Sequence, residues 1–289
     1  MKPRVCILTD STVQVPGSTY PGHEAVHILP MRIRCGEEIF QDNKDPRFCT
    51  RLLGMANGSP LTALAPSIED FEEAFINLGQ KYQSVITILI SSHLSATFQN
   101  AQIAAAQVKG PESIYIIDSQ TTAIGMGLLV QAAAQAIQQG INEADVNCLV
   151  RGMVPHIYTL LSLQSLRYLS NSGFLDPTQA IIGEMLGLLP VFVLEGGKLL
   201  PVQKARSSRH LIDIFHEFVS EFFNVKHLAI IQGVPPHDQD VRNLVTRLRE
   251  DFSMPSLTEH SLGAALMAIL GPRCLGIVVF DEYEGENLP

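Results

Sequence analysis

Three short runs of strand-forming residues each lead directly into a segment rich in hydroxyl and carboxylate side chains. Helical runs follow these segments, so strands and helices alternate through the first half of the chain. In such a chain the strands lie parallel, and ligands bind in the crevice outside their carboxyl ends. The sequence therefore predicts an α/β fold with an open parallel sheet and a polar ligand edge. The apolar runs are 5–8, 85–90 and 114–117, and the polar segments after them are 9–12, 91–97 and 118–122.

The second half of the chain has a different pattern, which indicates a second domain. A hairpin is predicted where residues 191–194 and 199–203 flank two glycines, because glycine adopts the positive φ that such turns need. A helix, strand, helix and strand follow, which indicates an α+β layer. We expect an N-terminal α/β domain over residues 1–152, with a loop insertion near 36–66, and a C-terminal α+β domain over 153–289. The ligand is expected between the two domains.

Charge and composition exclude several classes of partner. The net charge of −9 at pH 7 argues against an extended basic surface for nucleic acid. No run approaches the ~20 apolar residues of a membrane span, and the start of the chain does not resemble a secretory signal. The five cysteines are widely spaced and form no Cys-x-x-Cys motif, which is typical of reduced thiols. We expect a cytoplasmic protein without nucleic-acid binding or integral membrane contact.

One metal-binding signature occurs in a context that disfavours a metal site. His23-Glu24-Ala25-Val26-His27 matches the H-E-x-x-H pattern, which binds zinc when it lies on a helix. Pro21-Gly22 precede it, and residues 28–33 read as an extended edge strand. In an extended chain the two histidines lie roughly 13 Å apart, too far to share a metal ligated at about 2 Å. We therefore expect no metal ion.

The polar segment after residue 90 carries four hydroxyl side chains within seven residues, at Ser91, Ser92, Ser95 and Thr97. Where a strand becomes a helix, free backbone N–H groups and the helix dipole favour an anionic or hydrogen-bond-accepting group. Structural capping is the alternative, although one cap needs only one hydroxyl. Asp10 likewise either caps the first helix or belongs to the site. We predict that the four hydroxyls bind a ligand.

Short motifs spread over nearly the whole chain resemble those of the DegV family, and the serine-rich segment is the most specific of them. Members are two-domain bacterial proteins that hold one long-chain fatty acid between their domains, with its carboxylate at the serine-rich turn. In some bacteria they present it to a separate ATP-dependent kinase, which makes an acyl phosphate. The resemblance implies a fatty-acid carrier with no cofactor, no catalytic residues and a fatty-acid kinase as partner. The matching motifs are Thr9-Asp10-Ser11-Thr12, Leu29-Pro30-Met31, Pro66-Ser67, Ser91-Ser92-x-Leu94-Ser95-x-Thr97-Phe98-Gln99-x-Ala101, Ile117-Asp118-Ser119, Leu166-x-x-Leu169, Gly271-Pro272 and Leu275-Gly276.

The chain departs from the family pattern at the expected head-group end. Ala63 begins the segment that is Thr-Ser-x-Pro-Ser in the family, and Thr62 is the nearest substitute. Phe174 stands where the resemblance places an Arg, and Ile269 where it places a His. These apolar residues make a bare carboxylate harder to satisfy. Either the ligand is a protonated or esterified acyl group and kinase coupling is lost, or these short motifs align one residue differently. We predict that these four residues bind ligand together with the four hydroxyls.

Burial of the acyl tail is expected to supply most of the affinity. With few aromatic residues and no Trp, aliphatic and Met side chains are the expected lining of an apolar tunnel between the domains. Ordinary core packing is the alternative for each of them taken singly. The candidates are Leu163, Met185, Leu186, Leu188 and Leu189.

An enzyme is the alternative from another functional class. A hydrolase or phosphotransferase would use Asp10 and Asp118 together with the hydroxyl cluster of residues 91–97. Ser92 and His93 are sequence neighbours, and neighbouring residues of an extended chain point in opposite directions, which disfavours a nucleophile and base pair. We therefore favour the non-catalytic lipid carrier.

Overall fold

The computed structural model describes residues 5–17, 19–58, 61–185, 187, 189–252 and 256–281. Within these ranges the strands form three sheets, and helices pack against them. The strands are β1 (Val5–Asp10), β2 (Val26–Leu29), β3 (Arg32–Cys35), β4 (Glu38–Gln41), β5 (Thr62–Leu64), β6 (Ser84–Leu89), β7 (Ser113–Asp118), β8 (Ile157–Leu163), β9 (Leu189–Glu195), β10 (Lys198–Ala205), β11 (His227–Gln232), β12 (Leu257–Ser261) and β13 (Cys274–Phe280). The helices are α1 (Pro46–Ala56), α2 (Ile68–Gly79), α3 (Thr97–Gln107), α4 (Ala123–Gln138), α5 (Glu143–Met153), α6 (Arg167–Asn171), α7 (Pro177–Met185), α8 (Ser208–Ser220), α9 (Asp238–Asp251) and α10 (Ala264–Leu270).

The first sheet is parallel, as predicted, and brings the three polar strand ends together. Its order is β2-β1-β6-β7, with Thr9 opposite Ile88 and Leu89 opposite Asp118. Every residue of β1 and β6 is buried, which fits a parallel sheet covered on both faces. The carboxyl ends of β1, β6 and β7 are therefore neighbours at one edge.

The segment 36–66 contains regular structure where the sequence indicated a loop insertion. It holds α1 and two strands of a small antiparallel sheet with the order β4-β3-β5. These strands are only three or four residues long, and charged residues such as Arg34 and Glu38 interrupt their apolar pattern. The period-2 signal was therefore too short to detect. Pro30 also divides the predicted strand 28–33 between β2 and β3.

The second sheet is mixed, in agreement with the predicted α+β layer. Its order is β10-β9-β8-β13-β11-β12, in which β11 and β12 are parallel and the other neighbours are antiparallel. The predicted hairpin is β9-β10, and Gly196 and Gly197 make its turn at φ values of 54° and 82°. Sequence reasoning did not identify β12, α7 or α10. In the part of the chain that the structure describes, no helix combines the length and apolar character needed to cross a membrane.

Helix α4 packs between the two large sheets. Its Gly127 permits close approach, since a Cβ atom there would lie 1.5 Å from the carbonyl oxygen of Gln14. One apolar cluster continues from Ile7 in the first sheet through α4 to Leu161 in the second sheet and Ile269 on α10. Both halves of the chain therefore contribute to one core. The domain boundary at residues 152 and 153, near the end of α5, stays a prediction.

Candidate ligand-binding site

Asp10 joins the end of β1 to the end of β6. Its carboxylate is fully buried and accepts hydrogen bonds from the Thr12 backbone N–H at 2.9 Å, the Thr12 hydroxyl at 2.5 Å and the Ile90 N–H at 2.8 Å. Burial raises the pKa of Asp10, and the hydrogen bonds from Ile90 and Thr12 oppose this change. Both carboxylate oxygens thus hold the loops that follow the two strands.

Asp118 has the same kind of role at the end of β7. Its Oδ1 atom accepts hydrogen bonds from the backbone N–H groups of Ser92, at 3.2 Å, and Gln120, at 2.9 Å. A general base or nucleophile needs a lone pair directed at the substrate. Because both oxygens of Asp10 and the Oδ1 atom of Asp118 accept hydrogen bonds from backbone amides, the enzyme alternative is disfavoured.

Ser91 connects the first sheet edge to the hairpin of the second sheet. It is fully buried, its Oγ atom donates to the carbonyl oxygen of Gly197 at 2.7 Å, and it accepts from the His93 N–H at 3.1 Å. A Cβ atom at Gly197 would lie 2.5 Å from Ser91 Oγ, so the hairpin turn approaches this serine closely. Ser91 therefore links the two halves of the chain.

Ser95 and Thr97 organise the start of α3. Ser95 Oγ accepts from the Thr97 N–H at 3.3 Å and lies 2.8 Å from Thr97 Oγ1. Thr97 is fully buried, whereas Ser95 is half-buried. The Ser92 side chain is also half-buried, and its hydroxyl has no hydrogen bond to another described residue. The four predicted hydroxyls thus have three different environments.

A pocket of about 340 Å³ opens beside Ser95, between the two halves of the chain. It is lined by β5 and the residue after it, the turn before α3, the end of α6, and α10. Four of the eight predicted ligand-binding residues meet here, although up to 207 positions separate them in the sequence. The lining residues are Thr62, Ala63, Leu64, Ala65, Leu94, Ser95, Ala96, Asn171, Ser172 and Ile269.

The other four predicted residues lie outside this lining. They are Ser91, Ser92, Thr97 and Phe174, and the Phe174 side chain is 37% exposed. Their direct contact with a ligand stays a prediction. Sequence reasoning did not select Asn171 or Ser172, which line the pocket. Ser172 lies two positions before Phe174, so the family resemblance that selected Phe174 came within two residues of the pocket lining.

Asp42 fixes α10, and with it Ile269, against the first sheet. Its carboxylate accepts hydrogen bonds from the Ser11 hydroxyl at 2.7 Å and from the Ala265 N–H at 2.8 Å. Burial raises the pKa of Asp42, and burial lowers the pKa of the neighbouring Lys44, whose ammonium group donates to the Val13 carbonyl oxygen. Asp42 was not predicted because it stands in the segment that looked like a loop.

The two histidines of the H-E-x-x-H pattern have separate partners. His23 Nδ1 lies 2.9 Å from the Tyr20 carbonyl oxygen, in a 3-10 turn, and His27 Nε2 on β2 lies 3.1 Å from the Tyr82 hydroxyl. Among the residues that the structure describes, no group of three or more His, Cys, Asp or Glu side chains is placed to hold a metal ion.

A second cavity, of about 380 Å³, lies near the opposite end of α6 and beside α7. It is lined in part by Leu166, Gly183 and Pro201. Of the predicted tail-lining residues, Leu163 is fully buried, Leu189 is half-buried and Met185 is 82% exposed. Leu186 and Leu188 lie outside the described residues.

The comparison with protein families agrees with the motif pattern. A family model described as "Uncharacterised protein, DegV family" matches residues 4–282. The chain belongs to the DegV family. A DegV domain-containing protein of Caldanaerobacter subterraneus is 25% identical over 282 residues, a match that covers 96% of this chain and 99% of that protein.

Solved structures of DegV proteins have the same fold. A structure described as fatty acid binding of a DegV family protein from Thermus thermophilus matches with a TM-score of 0.82 and 23% identity, covering 96% of this chain and 100% of that one. The Fatty Acid Kinase (Fak) B3 protein of Streptococcus pneumoniae, loaded with linoleic acid, matches with a TM-score of 0.81 and 20% identity over 96% of this chain and 100% of that one. At such identities the similarity shows the fold.

Proposed function

We propose that this protein binds a long-chain fatty acid or a related acyl lipid in the pocket beside Ser95, and that it acts as a carrier without chemistry of its own. The observation that carries the proposal is the pocket formed jointly by β5, the start of α3, α6 and α10. The DegV proteins described as binding fatty acid or loaded with linoleic acid support it through the shared fold. The bonding of Asp10 and Asp118 to backbone amides supports the non-catalytic part.

The head group is proposed to lie at the polar end of this pocket. Thr62, Ser95 and Ser172 bring hydroxyl groups there, and Asn171 brings an amide. Backbone N–H groups at the start of α3 add a region of positive potential. In this proposal Ser91 and Thr97 act indirectly, by holding the turn that presents Ser95.

The tail is proposed to pass Ile269 and continue beneath α6 and α7 to the cavity beside Leu166. Burying a sixteen-carbon tail contributes on the order of 12 kcal/mol before the costs of immobilisation, so a long apolar path supplies most of the affinity. Helix α7 leaves Ile181 and Ile182 55% and 52% exposed. Such a helix has few buried contacts to break when a tail enters beneath it.

Mass spectrometry of the purified protein tests the proposal. Under native conditions we expect one acyl lipid bound per chain, and under denaturing conditions the released lipid is identified by its mass. The variant Ala96→Phe places a large ring at the pocket wall and should reduce the bound lipid. Ala106→Phe makes the same exchange at another exposed alanine near the end of α3 and should not.

Two results would contradict the carrier. The first is a parent protein that carries no lipid and takes up none on incubation with fatty acid. The second is turnover of an acyl or phosphoryl substrate that Asp10→Asn abolishes without loss of folding. Equal lipid content in Ala96→Phe and Ala106→Phe would instead place the ligand elsewhere in the fold.

A fatty-acid kinase is the proposed partner class, by analogy with the Fak B3 protein. Since Ile269 rather than a cationic side chain lines the pocket, we expect acyl phosphate formation with such a kinase to be poor. The proposed location is the cytoplasm. All five cysteines are free thiols, and four of them are buried, as suits a reducing compartment.

A further inference from the structure

The pocket beside Ser95 is lined by uncharged residues alone. None of the described residues that form its wall carries an ionisable side chain, and the polar groups are hydroxyls and an amide. Such groups donate and accept hydrogen bonds without supplying charge. An ionised ligand would lose part of its hydration here without gaining an ion pair from the lining residues.

Two arginines on β3 lie opposite pocket-lining residues of β5, but neither arginine lines the pocket. Arg32 lies opposite Leu64 and forms an ion pair with Asp70, which also caps α2. Arg34 lies opposite Thr62 and is exposed. On the other side, Ile269 is 2% exposed and belongs to α10, whose residues are all buried. Helix α10 itself contains no cationic residue.

The overall charge of the chain also disfavours an anionic ligand. A chain with a net charge of −9 repels anions at long range, and the partial positive charge at the start of α3 opposes this locally. The Thr97 N–H group at the start of α3 already donates to Ser95 Oγ, so it is less available to an anionic ligand. The start of α3 therefore suits a neutral acceptor such as a carbonyl or hydroxyl oxygen.

We propose that the pocket selects acyl lipids with an uncharged, hydrogen-bonding head group, such as a fatty amide, alcohol, ester or protonated acid, over the ionised carboxylate. The inference rests on the proposed function, because it names the ligand class of the same pocket. A neutral amide, alcohol or ester has no carboxylate to form an acyl phosphate, which agrees with the expected poor coupling to a kinase.

The test compares oleic acid with oleamide, which share one tail and differ in the head group. Delipidated protein is titrated with each between about pH 5 and pH 9, with bound ligand measured by native mass spectrometry. Affinity for oleamide should not change with pH. Affinity for oleic acid should fall with rising pH, by roughly tenfold per pH unit above the pKa of the free acid in water, because only the protonated acid binds.

A matched pair of charge insertions tests the location. Ala96→Arg adds a cation at the pocket wall, and Ala106→Arg adds the same charge near the far end of α3. Ala96→Arg should shift the preference towards oleate by about tenfold or more, which corresponds to about 1.4 kcal/mol. Ala106→Arg should leave the preference within about twofold. Both alanines are exposed, so neither variant disturbs the core.

The possible outcomes separate the inference from the function on which it rests. If oleate binds as tightly as oleamide at the highest pH, the inference is overturned while lipid binding stands. If Ala96→Arg leaves the preference unchanged, the head group does not lie at this wall and the inference is also overturned. If the parent binds neither ligand, the proposed function itself fails.

Discussion

Replacing Asp10 with alanine should destabilise the protein by about 3 kcal/mol, although Asp10 lies at the sheet edge where a catalytic carboxylate would be sought. The substitution removes the acceptor for the backbone N–H groups of Thr12 and Ile90 at a fully buried position. Each buried donor that loses its partner costs about 1–3 kcal/mol. Removing a buried charge offsets part of this loss, because burial raises the pKa of Asp10.

Two further variants separate the hydrogen bonds from the charge. Asp10→Asn keeps an oxygen for Thr12 but turns an NH₂ group towards the Ile90 N–H, so we expect a loss of about 1–2 kcal/mol. Glu73→Ala removes the same charge from an exposed position on α2. A surface exchange of this kind should change stability by no more than about 0.5 kcal/mol.

Urea unfolding of the four proteins, followed by circular dichroism, measures these differences. The expected order of stability is parent and Glu73→Ala, then Asp10→Asn, then Asp10→Ala. If the free energy of unfolding of Asp10→Ala lies within about 0.5 kcal/mol of the parent value, the carboxylate does not hold the two loops and the reasoning is refuted. Its oxygens would then be available for chemistry, and the enzyme alternative would regain support.

Three other variants test packing, pH dependence and capping. Gly183→Val should narrow the proposed tail path beside Leu166, because a Cβ atom at residue 183 would lie 2.5 Å from Leu166 Cδ1. Native mass spectrometry should then show a greater loss of binding for long acyl chains than for short ones. Burial, with a smaller effect of His260, lowers the pKa of His227 from 6.5 to about 4. The stability contributed by neutral His227 is therefore present above pH 6.5 and lost as the pH falls through about 4. The free energy of unfolding, measured with urea, should therefore decrease on acidification by up to about 3 kcal/mol less in His227→Asn than in the parent. Ser67→Ala removes the capping box of α2 and should cost about 1 kcal/mol in the same assay.

The sequence predicted the elements whose signals are local and long enough to read. The strands β1, β6 and β7 are continuous apolar runs, and a polar segment directly after each run marks its end. The strands β3, β4 and β5 are too short for such a pattern, and their pairing joins residues up to 32 positions apart. The α10 helix is apolar on all sides, so it lacks the amphipathic period by which surface helices are recognised.

The candidate site was harder to predict than the fold, because its walls meet only through tertiary packing. Thr62, Ser95 and Ile269 lie on three separate elements, and no local pattern joins them. The spacing of hydroxyl side chains selected Ser95, whereas Thr62 and Ile269 were selected only through the family motifs. Asn171 and Ser172 line the pocket because α6 ends there, which depends on how α6 packs on α10. Such a contact leaves no trace in sequence periodicity.

The polar strand ends were the strongest functional signal in the sequence, and most of their hydrogen bonds are structural. Asp10 and Asp118 hold three consecutive loops, and Ser91 ties the middle loop to Gly197 in the other half. Both oxygens of Asp10, the Oδ1 atom of Asp118 and the hydroxyl of Ser91 are all bonded within the protein, so these atoms need no ligand as a partner. What they fix is the turn that ends at Ser95, whose neighbours form one wall of the pocket. A binding site with a mainly apolar ligand has little need for many polar contacts, because the tail supplies affinity and a few head-group hydrogen bonds supply orientation. Of the four hydroxyls, Ser95 lines the pocket, and Ser91 and Thr97 hold the backbone of the turn that presents it.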